Sequence, residues 1–249
     1  AILFTIAYIF NEWLLLESGL FKGFLDTGGS VAIHAFGAYF GLGVVATTDK
    51  KFQGKPAPQS TKVSNEFCLL GSMILWLFWP SFTSAVVSPD HAYLTVLNTV
   101  LALCGSTLAT YVFTKLIRGK IDIEDIANAA LAGGVCIGSN CSTANPGFTM
   151  VIGICDGTLS TLGFSVIAPK VCKLIRGTDT CGVHNLHGMP GLLGGLFGIA
   201  ITGNVGVQLG AVVATVVVGL VLGRVCGAIL GLFGTKNDTY QDEDDFILE

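Results

Sequence analysis

Apolar residues gather in eight segments along the chain, and short polar connectors separate them. A helix of about 20 apolar residues crosses a lipid hydrocarbon core about 30 Å thick, so the pattern predicts eight membrane-spanning helices. We place these spans at residues 1–16, 27–47, 67–87, 92–113, 126–138, 148–168, 181–202 and 208–232. The fifth segment is short, and we expect its helix to extend at both ends. The predicted fold is an all-α polytopic membrane protein.

The charges in the connectors predict which side of the membrane each connector faces. Lys and Arg accumulate in loops that stay in the cytoplasm. Basic residues follow spans two, four and six, whereas the connectors after spans three, five and seven hold none. The basic residues are Lys50, Lys51, Lys55, Lys62, Lys115, Arg118, Lys120, Lys170, Lys173 and Arg176. The alternation supports eight spans, with residues 48–66 as an inner loop and residues 235–249 as an acidic cytoplasmic tail.

Composition agrees with a membrane location and excludes other classes. Hydrophobic residues make up 51% of the chain and charged residues only 12%, a profile that a water-soluble domain does not show. The eight cysteines form no Cys-x-x-Cys or Cys/His finger spacing, so neither a disulfide framework nor a zinc module is indicated. We expect no cofactor and no nucleic-acid partner. The chain begins inside an apolar run, so we expect that its first part is missing.

One frame, Asp-Thr-x-Gly-x-x-x-(Ile/Leu)-His, occurs twice in the chain. The first copy runs from Asp26 to His34 and the second from Asp179 to His187, and each leads into a Gly-rich apolar segment. An aspartate at a helix start accepts hydrogen bonds from free amides and favours the positive end of the helix dipole. Two matching sequences therefore carry two histidines into the membrane.

The charge alternation makes span two run inward and span seven run outward. At the rise of an α-helix, the interval from each aspartate to its histidine carries the ring about 12 Å into a core about 30 Å thick. His34 and His187 therefore arrive near the midplane from opposite sides. Related segments of opposite orientation are typical of an inverted repeat, whose binding site lies at the repeat interface.

We divide the chain into a transmembrane domain, which contains both repeats, and a tail. Residues 1–234 form a transmembrane domain, in which residues 1–48 are part of a first repeat, residues 67–202 are a second repeat, and residues 208–232 are a final long span. Residues 235–249 form the tail.

An imidazole near the bilayer centre is costly unless it is bonded or functional, and its cation is more costly still. We therefore expect both rings to be neutral, and adjacent neutral rings can share one N–H···N bond. Two alternatives stay open. The histidines can serve only as hydrogen bonders between packed helices, or His184 and His187 can bind a metal with Asp179 nearby, although the His-Glu-x-x-His frame is absent.

Glycines also recur four residues apart, a spacing that lets membrane helices approach closely. The pairs are Gly37/Gly41, Gly153/Gly157, Gly191/Gly195, Gly194/Gly198, Gly206/Gly210 and Gly219/Gly223. A Gly-rich chain produces about half of such pairs by chance, so they indicate tight bundling rather than a function.

Several sequence motifs resemble those of the Rhesus (Rh) glycoproteins of the ammonium transporter superfamily. They occur in the same order and extend over nearly the whole chain. They are Asn11-Glu12-Trp13, residues 26–42, Trp79-Pro80-Ser81-Phe82, residues 131–135, residues 160–164 and residues 179–191. The resemblance implies an inverted repeat in which each subunit of a homotrimer has its own narrow ammonia pore. It also implies a multi-pass location in the plasma membrane, with the lipid bilayer and ammonia or ammonium as partners.

The resemblance implies roles for individual residues. His34 and His187 match the twin histidines at the middle of the pore, and His184 is their neighbour. Phe82 matches one of two stacked phenylalanines that gate the outer mouth, although it can equally be an ordinary packing residue.

The acidic residues of the pattern also receive roles by resemblance. Asp26 matches the acid beneath the outer recruitment site, which orders the backbone and supports cation binding without touching the permeant. Asp179 is its inner counterpart. Glu12 matches an acid of the outer vestibule that gathers ammonium; its alternative is a solvated carboxylate at a helix end.

Some features depart from that pattern. The earliest spans of the family, with the other gate phenylalanine, are absent here. Asp156 lies within a span, where we expect an uncharged residue, and we assign it a hydrogen bond to a nearby Ser or Thr or a place at a subunit contact. Asn140 fits the N-glycosylation pattern, but its closeness to the membrane argues against use.

Other functions also fit parts of the sequence. The same apolar pore can admit carbon dioxide, and a non-transporting membrane scaffold needs neither histidine. An intramembrane hydrolase is the weakest alternative because no Ser/His/Asp or metalloprotease frame is present. We therefore expect a passive ammonia channel rather than an enzyme.

Overall fold

The computed structural model describes residues 1–48 and 61–233 as a bundle of helices. The α-helices are α1 (Ile2–Glu12), α2 (Phe36–Thr48), α3 (Lys62–Ala85), α4 (Pro89–Arg118), α5 (Ile123–Ile137), α6 (Pro146–Leu162), α7 (Ala168–Ile175), α8 (Met189–Thr202) and α9 (Val205–Leu232). Four π-helical segments join or extend them within these ranges: Trp13–Glu17, Ser30–Ala35, Gly163–Ile167 and His184–Gly188. The predicted acidic tail and most of the predicted inner loop lie outside the described residues.

Every predicted span corresponds to a helical segment. Five stretches of the described chain are long and apolar enough to cross a membrane: Ser30–Thr48, Lys62–Ala85, Pro89–Arg118, Pro146–Ile175 and Val205–Leu232. α4 is longer than predicted because polar residues continue the helix at both ends of its apolar core. The all-α polytopic fold is therefore confirmed.

The buried position of α5 explains why its apolar segment in the sequence is short. The helix extends at both ends, as expected, and a 3-10 turn (Gly138–Asn140) continues it. Residues 129–137 are all buried, and α5 packs against α3, α4, α6 and α8. A helix enclosed by other helices needs small residues such as Ala and Gly rather than a long lipid-facing apolar stripe.

Ion pairing fixes the turn between α4 and α5. Arg118 donates from Nε and an Nη to the two carboxylate oxygens of Asp125, at 2.8 and 2.9 Å, and Thr114 donates to the same carboxylate at 2.7 Å. Asp122 accepts from the amides of Glu124 and Asp125 and so caps α5. These bonds hold the start of α5 against the end of α4.

Four of the six glycine pairs lie where helices touch. A Cβ atom at Gly153 or Gly157 on α6 would overlap the backbone of Ala102 or Ser106 on α4. The pairs Gly191/Gly195, Gly194/Gly198 and Gly219/Gly223 likewise face backbone or side-chain atoms at less than contact distance. Gly37, Gly41 and Gly206, in contrast, have nothing within 4 Å, so close packing does not explain them.

The contact of α6 with α4 predicts an effect on stability. In the complete protein, Gly153→Ala forces a methyl group into the Ala102 backbone, so we expect a loss of about 1–3 kcal/mol. Gly71→Ala on α3 is the matched control, because a Cβ there meets nothing within 4 Å. Thermal unfolding of both variants in detergent checks this, and equal melting temperatures would contradict it.

Candidate functional site

The first copy of the repeated frame folds as a capped turn followed by a helix. Asp26, which is 7% exposed, accepts hydrogen bonds from the amides of Val31 (3.1 Å) and Ala32 (2.7 Å). Ser139 donates its hydroxyl to the same carboxylate at 2.5 Å. Protein donors thus occupy the carboxylate of Asp26. This agrees with a role in ordering the backbone rather than with direct contact to a permeant.

The second copy repeats the device. Asp179 accepts from the amides of Val183 (2.9 Å) and His184 (3.0 Å). The glycine that both copies share, Gly29 in the first and Gly182 in the second, has a positive φ of 76° and 65°. Only glycine adopts that conformation readily, so the shared position turns the chain into the helix in both copies.

The helices begin later than predicted, which corrects the depth estimate. The first starts at Ser30 rather than residue 27, and the π-helical part of the second starts at His184 rather than residue 181. The residues between each aspartate and its helix form a turn, because the positive φ of the shared glycine interrupts a helix. The rise from aspartate to histidine is therefore shorter than an unbroken helix would give.

Both histidines lie in π-helical turns, which we name the His34 turn (Ser30–Ala35) and the His187 turn (His184–Gly188). π-helical turns are rare and often occur at functional sites, because the extra residue redirects the neighbouring side chains. The periodicity of the sequence does not reveal these turns.

The structure brings the two imidazole rings together. The ring centroids of His34 and His187 are 5.2 Å apart, with an interplanar angle of 5°. Trp79 stacks on His34 at 5.7 Å, and Phe82 presents an edge contact to it at 6.3 Å. Among the described residues no hydrogen bond joins the two rings, which are nearly parallel. Nδ1 of His187 is buried without a partner.

The two helices that carry the rings run in opposite directions. Three glycines of the second repeat contact residues of the first. As the glycine number rises, the number of the contacted residue falls: Gly188 faces Ala38, Gly191 faces Ala35, and Gly194 faces Ser30. α2 contacts the His187 turn, and α8 contacts the His34 turn. This reciprocal, antiparallel arrangement agrees with the opposed orientation expected from the charges.

His184 faces a different neighbour from His187. Its ring makes an edge contact with Tyr39 at 5.8 Å, whereas His187 faces His34. In the described part of the chain no three His, Cys, Asp or Glu side chains are grouped as a metal site. The carboxylate of Asp179 accepts hydrogen bonds from the backbone amides of Val183 and His184.

Glu12 lies within a helix rather than at its end. α1 continues after it as a π-helical segment that ends at Glu17, and Tyr8 donates to Glu12 at 3.4 Å. Glu12 is half-buried in the single chain. No hydrogen bond or ring contact found among residues 1–48 and 61–233 connects it to the histidine pair.

Sequence reasoning missed three residues that support the site. Asn11 donates to the carbonyl of Ala32 at 3.2 Å, Ser139 bonds Asp26, and Trp79 packs on His34. The sequence did contain a sign of two of them, because Asn11 and Trp79 belong to motifs that resemble those of the Rh glycoproteins. Their roles depend on contacts between distant segments, and periodicity does not reveal such contacts.

Two other predicted residues are inside the fold. Asn140 is fully buried and donates to the carbonyl of Gly194 at 2.9 Å, so it is not a surface acceptor for a glycan. Asp156 is also fully buried within the single chain, and neither of its oxygens has a hydrogen-bond partner. The structure shows neither a hydrogen bond from Asp156 to Ser or Thr nor an exposed position at the surface of the single chain.

Comparisons with known proteins assign the chain to a family. A model of the Ammonium Transporter Family matches residues 1–246. The chain belongs to this family. Ammonium transporter Rh type A of Rattus norvegicus is 42% identical over 195 residues, which cover 76% of this chain and 43% of that protein. Ammonium transporter Rh type B of Danio rerio is 41% identical over 204 residues, covering 80% of this chain and 44% of that protein.

Solved structures agree with the Rh branch of the family. A structure described as Nitrosomonas europaea Rh50 and the mechanism of conduction by the Rhesus protein family of channels has a TM-score of 0.94 and 48% identity. The match covers 99% of this chain and 66% of that one. A Sensor Amt Protein shares the fold, with a TM-score of 0.75 at 22% identity. The resemblance to the Rh glycoproteins is confirmed, and the family is one of transporters rather than enzymes.

The chain spans less than half the length of the curated relatives that it matches. Its family and its apolar helices make it a multi-pass membrane protein.

We predict that replacing Asp26 destabilises the protein more than replacing Asp179. Asp26→Ala removes the acceptor of two buried amides and one hydroxyl, and each unpaired buried group costs about 1–3 kcal/mol. Asp26→Asn keeps an acceptor oxygen and should lose less. Asp179→Ala is the control, because the half-buried Asp179 leaves amides that water can reach. Thermal unfolding of the complete protein should rank Asp26→Ala lowest, and an equal loss for Asp179→Ala would contradict the assignment.

Proposed function

We propose that the complete protein conducts ammonia passively across the plasma membrane through a pore lined by His34 and His187. The observation that carries this proposal is the pair of imidazole rings, 5.2 Å apart, that two antiparallel repeats contribute. The names of the relatives, ammonium transporters of Rh type A and B, support ammonium or ammonia as the substrate. The match to a structure described as a channel supports conduction rather than coupled pumping.

The chemistry of a buried conduit favours the neutral molecule. Moving ammonium from water into a medium of low dielectric constant without compensation is prohibitive, whereas ammonia is small and uncharged. The surroundings of the rings, Trp79, Phe82 and the nearby Leu186, are aromatic or aliphatic. A neutral imidazole carries one donor and one acceptor, and ammonia can use both. Ammonium therefore sheds its proton at the outer mouth, and ammonia takes one up again inside.

The remaining candidate residues have supporting roles in this proposal. Phe82, whose edge contacts His34, narrows the outer approach to the ring pair. Asp26 and Asp179 hold the backbone turns that orient the histidines. Glu12 raises the local concentration of ammonium at the outer side through its negative charge. His184, beside Tyr39, lies on the same turn as His187 and offers a hydrogen-bonding group on the inner side.

The assembly in this proposal is a homotrimer within the lipid bilayer, and each subunit has its own pore. The many large apolar side chains exposed on α3 and α9 support contact with lipid or with neighbouring subunits, because the bilayer solvates such surfaces. The sequence contains no Gly-x-x-x-x-Gly-Lys-(Ser/Thr) phosphate-binding loop, so the proposal includes no nucleotide-driven step.

Flux measurements on the complete protein in proteoliposomes test the histidine assignment. Replacing both His34 and His187 with Ala removes hydrogen bonds to the permeant, each of about 1–1.5 kcal/mol, so we expect ammonia or methylamine flux to fall about tenfold or more. His91→Ala is the matched control, because His91 is an exposed histidine at the start of α4 and should leave the flux unchanged. Unchanged flux in the double variant would argue strongly against the pore.

The same preparation separates the competing functions. Stopped-flow comparison of ammonia and carbon dioxide identifies the permeant. Carbon dioxide lacks hydrogen-bond donors, so a carbon dioxide channel should be less sensitive to loss of the histidines. A membrane scaffold predicts no flux of either gas above that of protein-free vesicles.

A further inference from the structure

Buried polar atoms without partners gather on one side of α6, beside the His187 turn. Asp156, Ser160 and Asn185 are all 0% exposed. Both oxygens of Asp156, the hydroxyl of Ser160, and both the oxygen and the nitrogen of the Asn185 amide have no hydrogen-bond partner among the protein groups. Most buried polar groups in proteins are bonded, so several unbonded groups on neighbouring elements require an explanation.

These side chains lie along one face of α6 and its π-helical extension, with Asn185 beside Gly163. Asp156, Ser160 and Gly163 follow at intervals of four and three residues, so they lie on one face of the continuous helix α6 and its π-helical extension. The amide oxygen of Asn185 lies 2.9 Å from the position of a Cβ at Gly163. The His187 turn that carries Asn185 contacts both α5 and α6. From α5, the thiol of Cys136 lies beside the carboxyl of Asp156.

The energetic argument concerns the carboxyl group above all. An unpaired carboxylate inside a protein is strongly unfavourable, and each unbonded hydroxyl or amide adds to that cost. Among the described residues no salt bridge joins a Lys or Arg to Asp156, and Arg118 pairs with Asp125 instead. A small polar molecule that bonds the carboxyl removes this cost. Water fits, because it supplies two donors and two acceptors and bonds typically three polar atoms when buried.

We propose that Asp156, Ser160 and Asn185 form a binding site for a small cluster of water molecules beside the histidine pair. The waters donate to the carboxyl and to the Asn185 oxygen, and they accept from the Asn185 amide and the Ser160 hydroxyl. The same turn carries His187, whose Nδ1 is also buried without a partner. The site therefore provides a polar region off the axis of the rings, and it explains a carboxyl in the interior of a membrane span.

X-ray radiolytic labelling of the complete protein in detergent tests this site, because it modifies side chains that lie against bound water. Cys136 is 0% exposed, so it should be labelled only if internal water lies beside Asp156. Cys226 is the internal control, since it is similarly buried, at 8%, in an aliphatic and aromatic cluster. We expect label on Cys136 and none on Cys226. The absence of label on Cys136 in the wild-type protein would overturn the proposal.

Variants and a high-resolution structure sharpen the result. Asp156→Leu and Asn185→Leu should each abolish the labelling of Cys136 and the ordered solvent density between these side chains. Thr161→Val is the matched control on the same helix, because Thr161 is fully buried but its hydroxyl is bonded to the carbonyl of Gly157 at 2.7 Å. The labelling of Cys136 should be unchanged in this variant. If either Leu variant does not fold, the wild-type measurement still decides.

Two further outcomes would overturn the assignment of water. Density that is present only with ammonium salts would make the site one for ammonia or ammonium. Direct bonds from Asp156 to Ser160 or Cys136, with no density between, would make the cluster structural. Neither measurement depends on ammonia flux, so a failure here is distinguishable from a failure of the proposed conduction.

Discussion

Backbone amides at the start of a helix have no water to bind when that start lies inside a membrane protein, and carboxylates take the place of water in this chain. Asp26 bonds the amides of Val31 and Ala32, and Asp179 bonds those of Val183 and His184. The His34 turn depends on its buried acceptor, and the more exposed Asp179 orders the start of the His187 turn. The packing of the two repeats and the geometry of the rings depend on this interaction.

The capped turns make close crossing of the two repeats possible. Gly191 faces the backbone of the His34 turn, and Gly188 faces Ala38 and Tyr39 at the start of α2. Small residues at these positions let two helices approach where lipid gives no hydrophobic drive to associate. α5 supports the arrangement from the side, since Ser30 donates to the carbonyl of Val135 at 2.6 Å. The rings stack because the backbones beneath them are held at close range.

Polar groups in the interior of this Rh-family protein follow two patterns. Asn11, Asp26 and Ser139 have protein partners, and they fix distant segments to one another. His187, Asp156 and Asn185 retain atoms without protein partners. The first group is explained by the architecture alone. The second group is where small molecules, ammonia on the axis of the pore and water beside it, are proposed to bind.

The sequence by itself determined the helical spans and the repeated frame and predicted an alternating sidedness of the connectors, because hydropathy, charge and a long motif are local properties of the chain. It also marked Asp26, Asp179 and both histidines. Only the tertiary structure decided that the helices start after the glycines of the frame, that both rings lie in π-helical turns and stack, and that Asp156 is enclosed. Those features depend on contacts between residues far apart in the chain, such as Ser139 with Asp26, and no local pattern specifies them.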